Sequence, residues 1–202
     1  MSNRKPKEAF LLDALRSGDR AEFARLVETY YEMIYRLGLK MLNDTQDAED
    51  ILQETFTKAY QHIHNFDGRS ELSTWLYRIA TNEALMHLRR KRPQTFSIDS
   101  PENAEAVEQE PVQIVDWRGL PEEELISGEA RLHLDNAIEN LPPSLRVVFV
   151  LRDIQGLSTR EVGEVLDLSE TAVKTRLSRA RLRLREDLSS YYAERLAERR
   201  RL

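Results

Sequence analysis

The chain has 202 residues, with 30 basic and 35 acidic side chains giving a formal net charge of −5. It has no cysteine, which excludes disulfides and zinc–thiolate sites, and no apolar run approaches the ~20 residues of a membrane span. A net negative charge argues against nucleic acid only if it is evenly spread, and here it is not. Residues 1–92 hold 15 basic and 14 acidic groups, residues 93–130 hold one and 10, and residues 131–202 hold 14 and 11. The acidity is confined to the middle, leaving two neutral-to-basic flanks free to meet a polyanion.

The amino-terminal stretch MSNRKPKEAFLLDALRSGDR has charges too closely spaced for a secretory signal, so a cytoplasmic protein is expected. A short helix around Phe10–Leu15 should end at Gly18. The spacing of Phe23, Leu26, Val27, Tyr30, Ile34, Leu37 and Met41 predicts a helix over Arg20–Leu42, stopping near Asn43-Asp44. A third helix, Gln46–His62, carries Ala48, Ile51, Leu52, Thr55, Phe56, Ala59 and, just beyond, Ile63 on one face. Asp47, Asp50, Glu54, Lys58 and Gln61 lie on the other. The loop His64-Asn65-Phe66-Asp67-Gly68-Arg69 follows, and Ser70 is placed to cap a fourth helix running to Arg90. Trp75, at helical spacing, is expected in the core rather than as a stacking platform.

Segment 93–120 has prolines at 93, 101 and 111, many acids and no helical period, which marks a flexible linker. Beyond it, a helix over about 122–140 is broken by Leu141-Pro142-Pro143, and another over 144–155 ends at Gly156. VVFVL at 147–151 tolerates a strand on propensity alone. Ser158 with Glu161 forms a capping box, so the next helix begins at Thr159. Asp167-Leu168-Ser169 makes a turn, with Ser169 capping a second helix whose Val173, Leu177, Ala180, Leu184 and Leu188 face inward. Lys174, Arg176, Arg179, Arg181, Arg183 and Arg185 point elsewhere, with no acid between Lys174 and Arg185. Two helices joined by a tight turn, the second basic, form a helix-turn-helix suited to a DNA major groove. The expectation is an all-α chain of two small helical domains on an acidic tether.

DAEDILQETFTKAY at 47–60, STWLYRIATNEALMHLRRKR at 73–92 and LPPSLRVVFVLRDIQGLSTREVGEVLDLSETAVKTRLSRARLRL at 141–184 together resemble an extracytoplasmic-function sigma factor of the sigma-70 family. The likeness covers roughly residues 8–190. It implies sigma region 2 at 8–92, a linker at 93–121, sigma region 4 at 122–190 and a basic tail at 191–202. It further implies core RNA polymerase as partner, met at the β′ clamp helices and the β flap. The residues implied in that docking are Asp47, Asp50, Gln53, Glu54 and Lys58. Promoter DNA is the second partner. The loop matches the segment that reads a melted −10 element, implicating His64, Asn65, Phe66, Asp67, Arg69 and Ser70. Arg78, Asn82, Arg89, Arg90, Lys91 and Arg92 are suited to the single strand's phosphates. In the recognition helix, Lys174, Thr175, Ser178 and Arg179 fall where −35 base edges are met, with Glu170, Thr171 and Arg176 nearer the entry and backbone. An anti-sigma factor is the third implied partner.

A metal or cofactor is not expected. His62 and His64 lie two apart and do not share a helical face, and no phosphate loop or nucleophile motif occurs. The chain reads as a non-enzyme. Two rivals remain at this stage: a self-sufficient regulator binding duplex DNA as a dimer, which leaves residues 64–92 without a role, and a helical interaction protein whose basic helix meets an acidic partner.

Overall fold

The computed structural model describes residues 10–91 and 128–199, and side-chain surroundings within 10–91 and 132–189. Its regular elements are all helical. Helix α1 (Leu12–Arg16) leads into α2 (Arg20–Leu42), α3 (Thr45–His62), a single 3₁₀ turn (Ile63–Asn65) and α4 (Leu72–Lys91). After the linker come α5 (Gly128–Asn140), α6 (Pro143–Phe149), a wider π turn (Val150–Ile154), α7 (Thr159–Leu166) and α8 (Glu170–Arg199). No helix among the described residues is long and apolar enough to cross a membrane.

Local chemistry sets most of the boundaries. Asp19 caps α2 by accepting from the Ala21 and Glu22 amides, and Asn43 ends it in the left-handed region at φ 54°. Asp44 caps α3 through the Asp47 amide, one residue ahead of the expected start. The fourth helix departs from expectation in the opposite direction. Ser70 does not cap it; the Trp75 amide donates to the Glu71 carbonyl, so the helix begins at Leu72. The Ser158–Glu161 capping box forms in full, and Asp167 closes α7 at φ 55°. The stretch 144–155 is not one uniform helix. It begins at Pro143 and loosens after Phe149, where the Gln155 amide reaches back five residues to the Val150 carbonyl. VVFVL is helical throughout, its strand propensity overridden by burial on all sides.

Helices α2, α3 and α4 pack on one another through Leu26, Ile34, Leu37, Met41, Ile51, Phe56, Leu76 and Ala80. Gly38 lets α2 and α3 approach closely, since a Cβ there would lie 3.2 Å from the Ala48 Cα, tighter than an ordinary contact. In the second module α6, α7 and α8 converge on Val148, Leu151, Leu157, Val162, Val173 and Leu184. Gly163 makes the helix-turn-helix corner possible, since a Cβ would sit 2.7 Å from the Leu168 carbonyl oxygen.

The two modules share a seam. Helix α4 lies against α7, and α2 lies against α5 and the π turn. Tyr77, 1% exposed, donates its hydroxyl to Gln155 Oε1 at 3.1 Å, and burial pushes the phenol far above its ordinary range. Lys40 pairs with Asp135, and the Asn43 amide donates to Glu139. Arg146, 4% exposed, donates to the Met41 carbonyl at 2.6 Å, to the Leu141 carbonyl at 3.2 Å and to the Glu139 carbonyl. A buried carbonyl stripped of its donor costs about 1–3 kcal/mol. Arg146→Met is therefore expected to lower stability by at least about 2 kcal/mol, read as an earlier urea midpoint. An unchanged midpoint would show that the Arg146 bonds to these carbonyls add nothing to stability.

Candidate nucleic-acid interface

Three surfaces collect the residues singled out in the sequence. The first is the opening of α8. Ser169 Oγ accepts from the Ala172 amide at 3.2 Å and starts the helix, while Val173, Leu177, Ala180, Leu184 and Leu188 are all buried as expected. At 3.6 residues per turn this orients Glu170, Thr171, Lys174, Thr175 and Ser178 into one exposed stripe. Arg179 flanks the stripe half-buried, and Arg176, also half-buried, lies further round the same side. The Thr175 hydroxyl donates to the Thr171 carbonyl at 3.0 Å, which fixes its rotamer. Arg181 belongs elsewhere: it forks onto Asp153 of the π turn at 2.9 and 2.7 Å, and that carboxylate raises its pKa.

The second surface is the loop after α3 together with one face of α4. His64, Asn65, Asp67 and Arg69 are exposed, and Ser70 is half-buried. Phe66 differs from its expected place. Its ring is 6% exposed and stacks obliquely on Trp75 at 5.3 Å, so its side chain anchors the loop rather than meeting solvent. Trp75 itself packs against the core. Gly68 takes φ 77°, and Asp67 Oδ1 accepts from the Arg69 amide at 3.1 Å, turning the tip back on itself. Arg78, Asn82 and Arg89 share one stripe of α4, with Arg90 beside it. Arg78 donates to the Glu164 carbonyl across the seam. Tyr77 is a seam residue, not part of this face. Arg92 lies outside the described residues.

The third surface is the polar side of α3. Asp50, Gln53 and Glu54 stand exposed, whereas Asp47 and Lys58 are half-buried at the junction with α4. Lys58 bridges Glu83 at 2.7 Å and Glu54 at 3.5 Å, and the Glu83 hydrogen bond holds its pKa up. Asp47 accepts from Lys91 and stands 3.2 Å from His87 Nε2, outside hydrogen-bond geometry. The bond from Lys91, reinforced by the nearby His87 and opposed by partial burial, lowers the Asp47 carboxyl below its ordinary 3.8. Lys91, expected among the phosphate-facing residues, is thus engaged with an acid.

Sequence reasoning passed over two arginines with positional roles. Arg146 sits inside the apolar run LRVVFVL, where an isolated cation is itself a signal of buried acceptors. Arg16 donates from Nε and Nη2 to the Phe66 carbonyl at 3.0 and 2.7 Å, a contact fifty residues away that no local pattern reports.

A compact helical module carrying a polar loop, joined to a helix-turn-helix module, is the arrangement of the sigma-70 class. Sigma-70 region 2 matches residues 26–94, and sigma-70 region 4 matches residues 131–184. The ECF RNA polymerase sigma factor SigW of Bacillus subtilis is 39% identical over 174 residues, 86% of this chain and 92% of that protein. RNA polymerase sigma-H factor of Pseudomonas aeruginosa is 35% identical over 173 residues, 85% of this chain and 88% of that one. The chain belongs to the extracytoplasmic-function (ECF) sigma factors of RNA polymerase. Among solved structures, CnrH in complex with the cytosolic domain of CnrY superposes with a TM-score of 0.63 at 25% identity, covering 89% of this chain and 96% of that one. RpoE of Bartonella quintana, bound to the anti-sigma factor NepR, shares the fold at TM-score 0.59 and 22% identity, over 83% and 97%.

The Asp47 pair carries a pH signature. A carboxyl lowered in the folded state stabilises fully above its ordinary value and loses that contribution as pH falls through the lowered one. The difference in urea midpoint between the natural chain and Asp47→Asn should be present at neutral pH and shrink progressively as the pH falls below 3.8. A pH-independent difference would refute the pairing.

Proposed function

We propose that this ECF sigma factor binds bacterial core RNA polymerase chiefly through the exposed Asp50, Gln53 and Glu54 edge of α3, with Asp47 and Lys58 shaping it. The acidic edge suits a basic partner such as the β′ clamp helices, and residues 122–190 take the β flap. Region 2 occupies 8–92, the linker 93–121, and the basic tail 191–202. The α8 stripe reads the −35 duplex and the loop 64–70 reads the melted −10 strand. The observation that supports this most is the coexistence, on one chain, of a helix-turn-helix and a rigidly floored polar loop flanked by Arg78, Asn82, Arg89 and Arg90. A dimeric duplex-only regulator needs the first and has no use for the second.

The energetics support the division of labour. Opening a duplex costs about 1.4 kcal/mol per stacked step, so whatever opens it must hold the released bases. Exposed polar groups at the loop tip offer base-edge partners, and the cations on α4 offer partners for the strand's phosphates. Duplex reading by α8 gains about 1–3 kcal/mol of discrimination for each well-aimed cation–guanine pair. The factor itself catalyses nothing; it lends specificity to the polymerase and works in the cytoplasm.

The seam adds a condition. Elements about 25 base pairs apart are separated by roughly 85 Å at ~3.4 Å per pair, far more than two modules in direct contact can span. Reading both requires α4 and α7 to part, which also frees Arg78 from Glu164. CnrH and RpoE are held by CnrY and NepR respectively, and an anti-sigma factor is the corresponding partner proposed here.

The test is transcription from a fragmented genomic library by core polymerase with and without this chain. Specific start sites absent from core alone are the expected result; tight duplex binding without core binding would overturn the reading. Within that assay, Asn65→Ala should impair open-complex formation while leaving −35 duplex binding intact. Lys174→Ala should do the reverse, weakening −35 binding by about tenfold or more. Equal loss of both activities in either variant would sink the assignment of the two surfaces.

A further inference from the structure

The loop proposed above to read the −10 strand is gripped at its base by a residue outside the region 2 match. Helix α1 packs on the 3₁₀ turn Ile63–Asn65 and presents Arg16 to the Phe66 carbonyl, which accepts from both Nε at 3.0 Å and Nη2 at 2.7 Å. The remaining nitrogen, Nη1, stands 3.5 Å from Asp13 Oδ1, one turn back on the same helix. The guanidinium is therefore fixed from two sides, although its side chain is 36% exposed.

Phe66 is where the loop's geometry is decided. Its amide closes the 3₁₀ turn on the Ile63 carbonyl at 3.0 Å, and its ring is sealed against Trp75. Its ψ of 112° swings the chain into an extended course. A trans peptide is planar, with its C=O and N–H pointing in opposite directions. Drawing the Phe66 oxygen to α1 thus directs the Asp67 amide away from α1, and it sets the plane from which Asp67, Gly68 and Arg69 depart. Leu12 supports the same tip from α1, its Cδ1 lying 3.7 Å from where a Gly68 Cβ would stand. Without Arg16, rotation of the 66–67 peptide plane would leave the hydrophobic anchor in place and change the presentation of the tip.

We propose that Arg16 is a positioning residue for −10 recognition: it orients the 66–67 peptide and thereby the base-reading edge formed by Asn65, Asp67 and Arg69. This rests on the assignment of the loop to the melted strand. Arg16 acts through the Phe66 carbonyl, so its loss should alter which bases are preferred and how readily the open complex forms, without altering the charge presented to the duplex at −35.

The experiment uses the full chain in holoenzyme with core polymerase. Arg16→Ala, Arg16→Lys and Asn65→Ala are each compared for core binding, −35 duplex binding, open-complex formation, and affinity for single-stranded −10 oligonucleotides carrying every base at each position. Arg16→Ala is expected to reduce open-complex formation about tenfold, equivalent to about 1.4 kcal/mol, and to flatten the base-preference profile. Core and −35 binding should stay unchanged, and Arg16→Lys, which can still donate to the Phe66 carbonyl, should restore much of the profile. An unaltered profile in Arg16→Ala beside an impaired Asn65→Ala would overturn the role of Arg16 alone. No effect from either variant would overturn the reading of the loop as well. Parallel loss of core, −35 and −10 binding in Arg16→Ala, not repaired by Arg16→Lys, would make Arg16 a mere fold residue and refute the proposal.

Discussion

A guanidinium withdrawn from water must find acceptors for its donors, and at Arg146 the acceptors are backbone carbonyls from two modules. Met41 lies at the end of α2, where the last helical carbonyls have no partner within the helix, and Glu139 and Leu141 lie at the end of α5, where the same deficit arises. One side chain therefore satisfies two helix ends that would otherwise be stranded in the interior. The accompanying pairs Lys40–Asp135 and Asn43–Glu139 follow the same line between α2 and α5. The register of the second module against the first depends on this arrangement. Tyr77 and Gln155 meet deep in the same seam, where α4 also packs on α7.

A second constraint is how the cations and acids divide between internal and external work. The ends of α3 and α4 are tied by Asp47 to Lys91 and by Lys58 to Glu83, which keeps the two helices aligned beside the loop they support. Asp50, Gln53 and Glu54 are left facing outward between these ties. On α8 the division is similar: Arg181 is spent on Asp153, while Lys174 stays on the exposed stripe. Sequence position alone would not have separated these roles, because each partner lies on another element.

Sequence periodicity was sufficient wherever a segment's structure is decided by its own residues. The limits of α2, the capping box at Ser158, the turn at Asp167 and the inward face of α8 all follow from local propensity and spacing. The recognition stripe was legible for that reason. Where tertiary contact decides, the pattern was silent. The π turn depends on packing around Leu151 and Leu157, the start of α4 shifted past Ser70, and Phe66 proved to be the loop's floor. The resemblance to known sigma factors supplied roles for the loop and for α3 that spacing alone did not. It said nothing of Arg16 or Arg146, whose partners are backbone atoms far along the chain.

The Tyr77–Gln155 bond has a consequence for how such a chain can change over generations. Regions 2 and 4 match as separate units, and a linker between them invites the view that they can be exchanged like cassettes. Here each unit completes the other's interior. A region 4 brought in from another lineage would place its own side chain at position 155. Unless that side chain accepts a hydrogen bond, the Tyr77 hydroxyl is sealed without a partner, at a cost of about 1–3 kcal/mol. Positions 77 and 155, and 40 and 135, meet side chain to side chain and are thus expected to change as matched pairs, so recombination at the linker meets a compatibility barrier written in the seam.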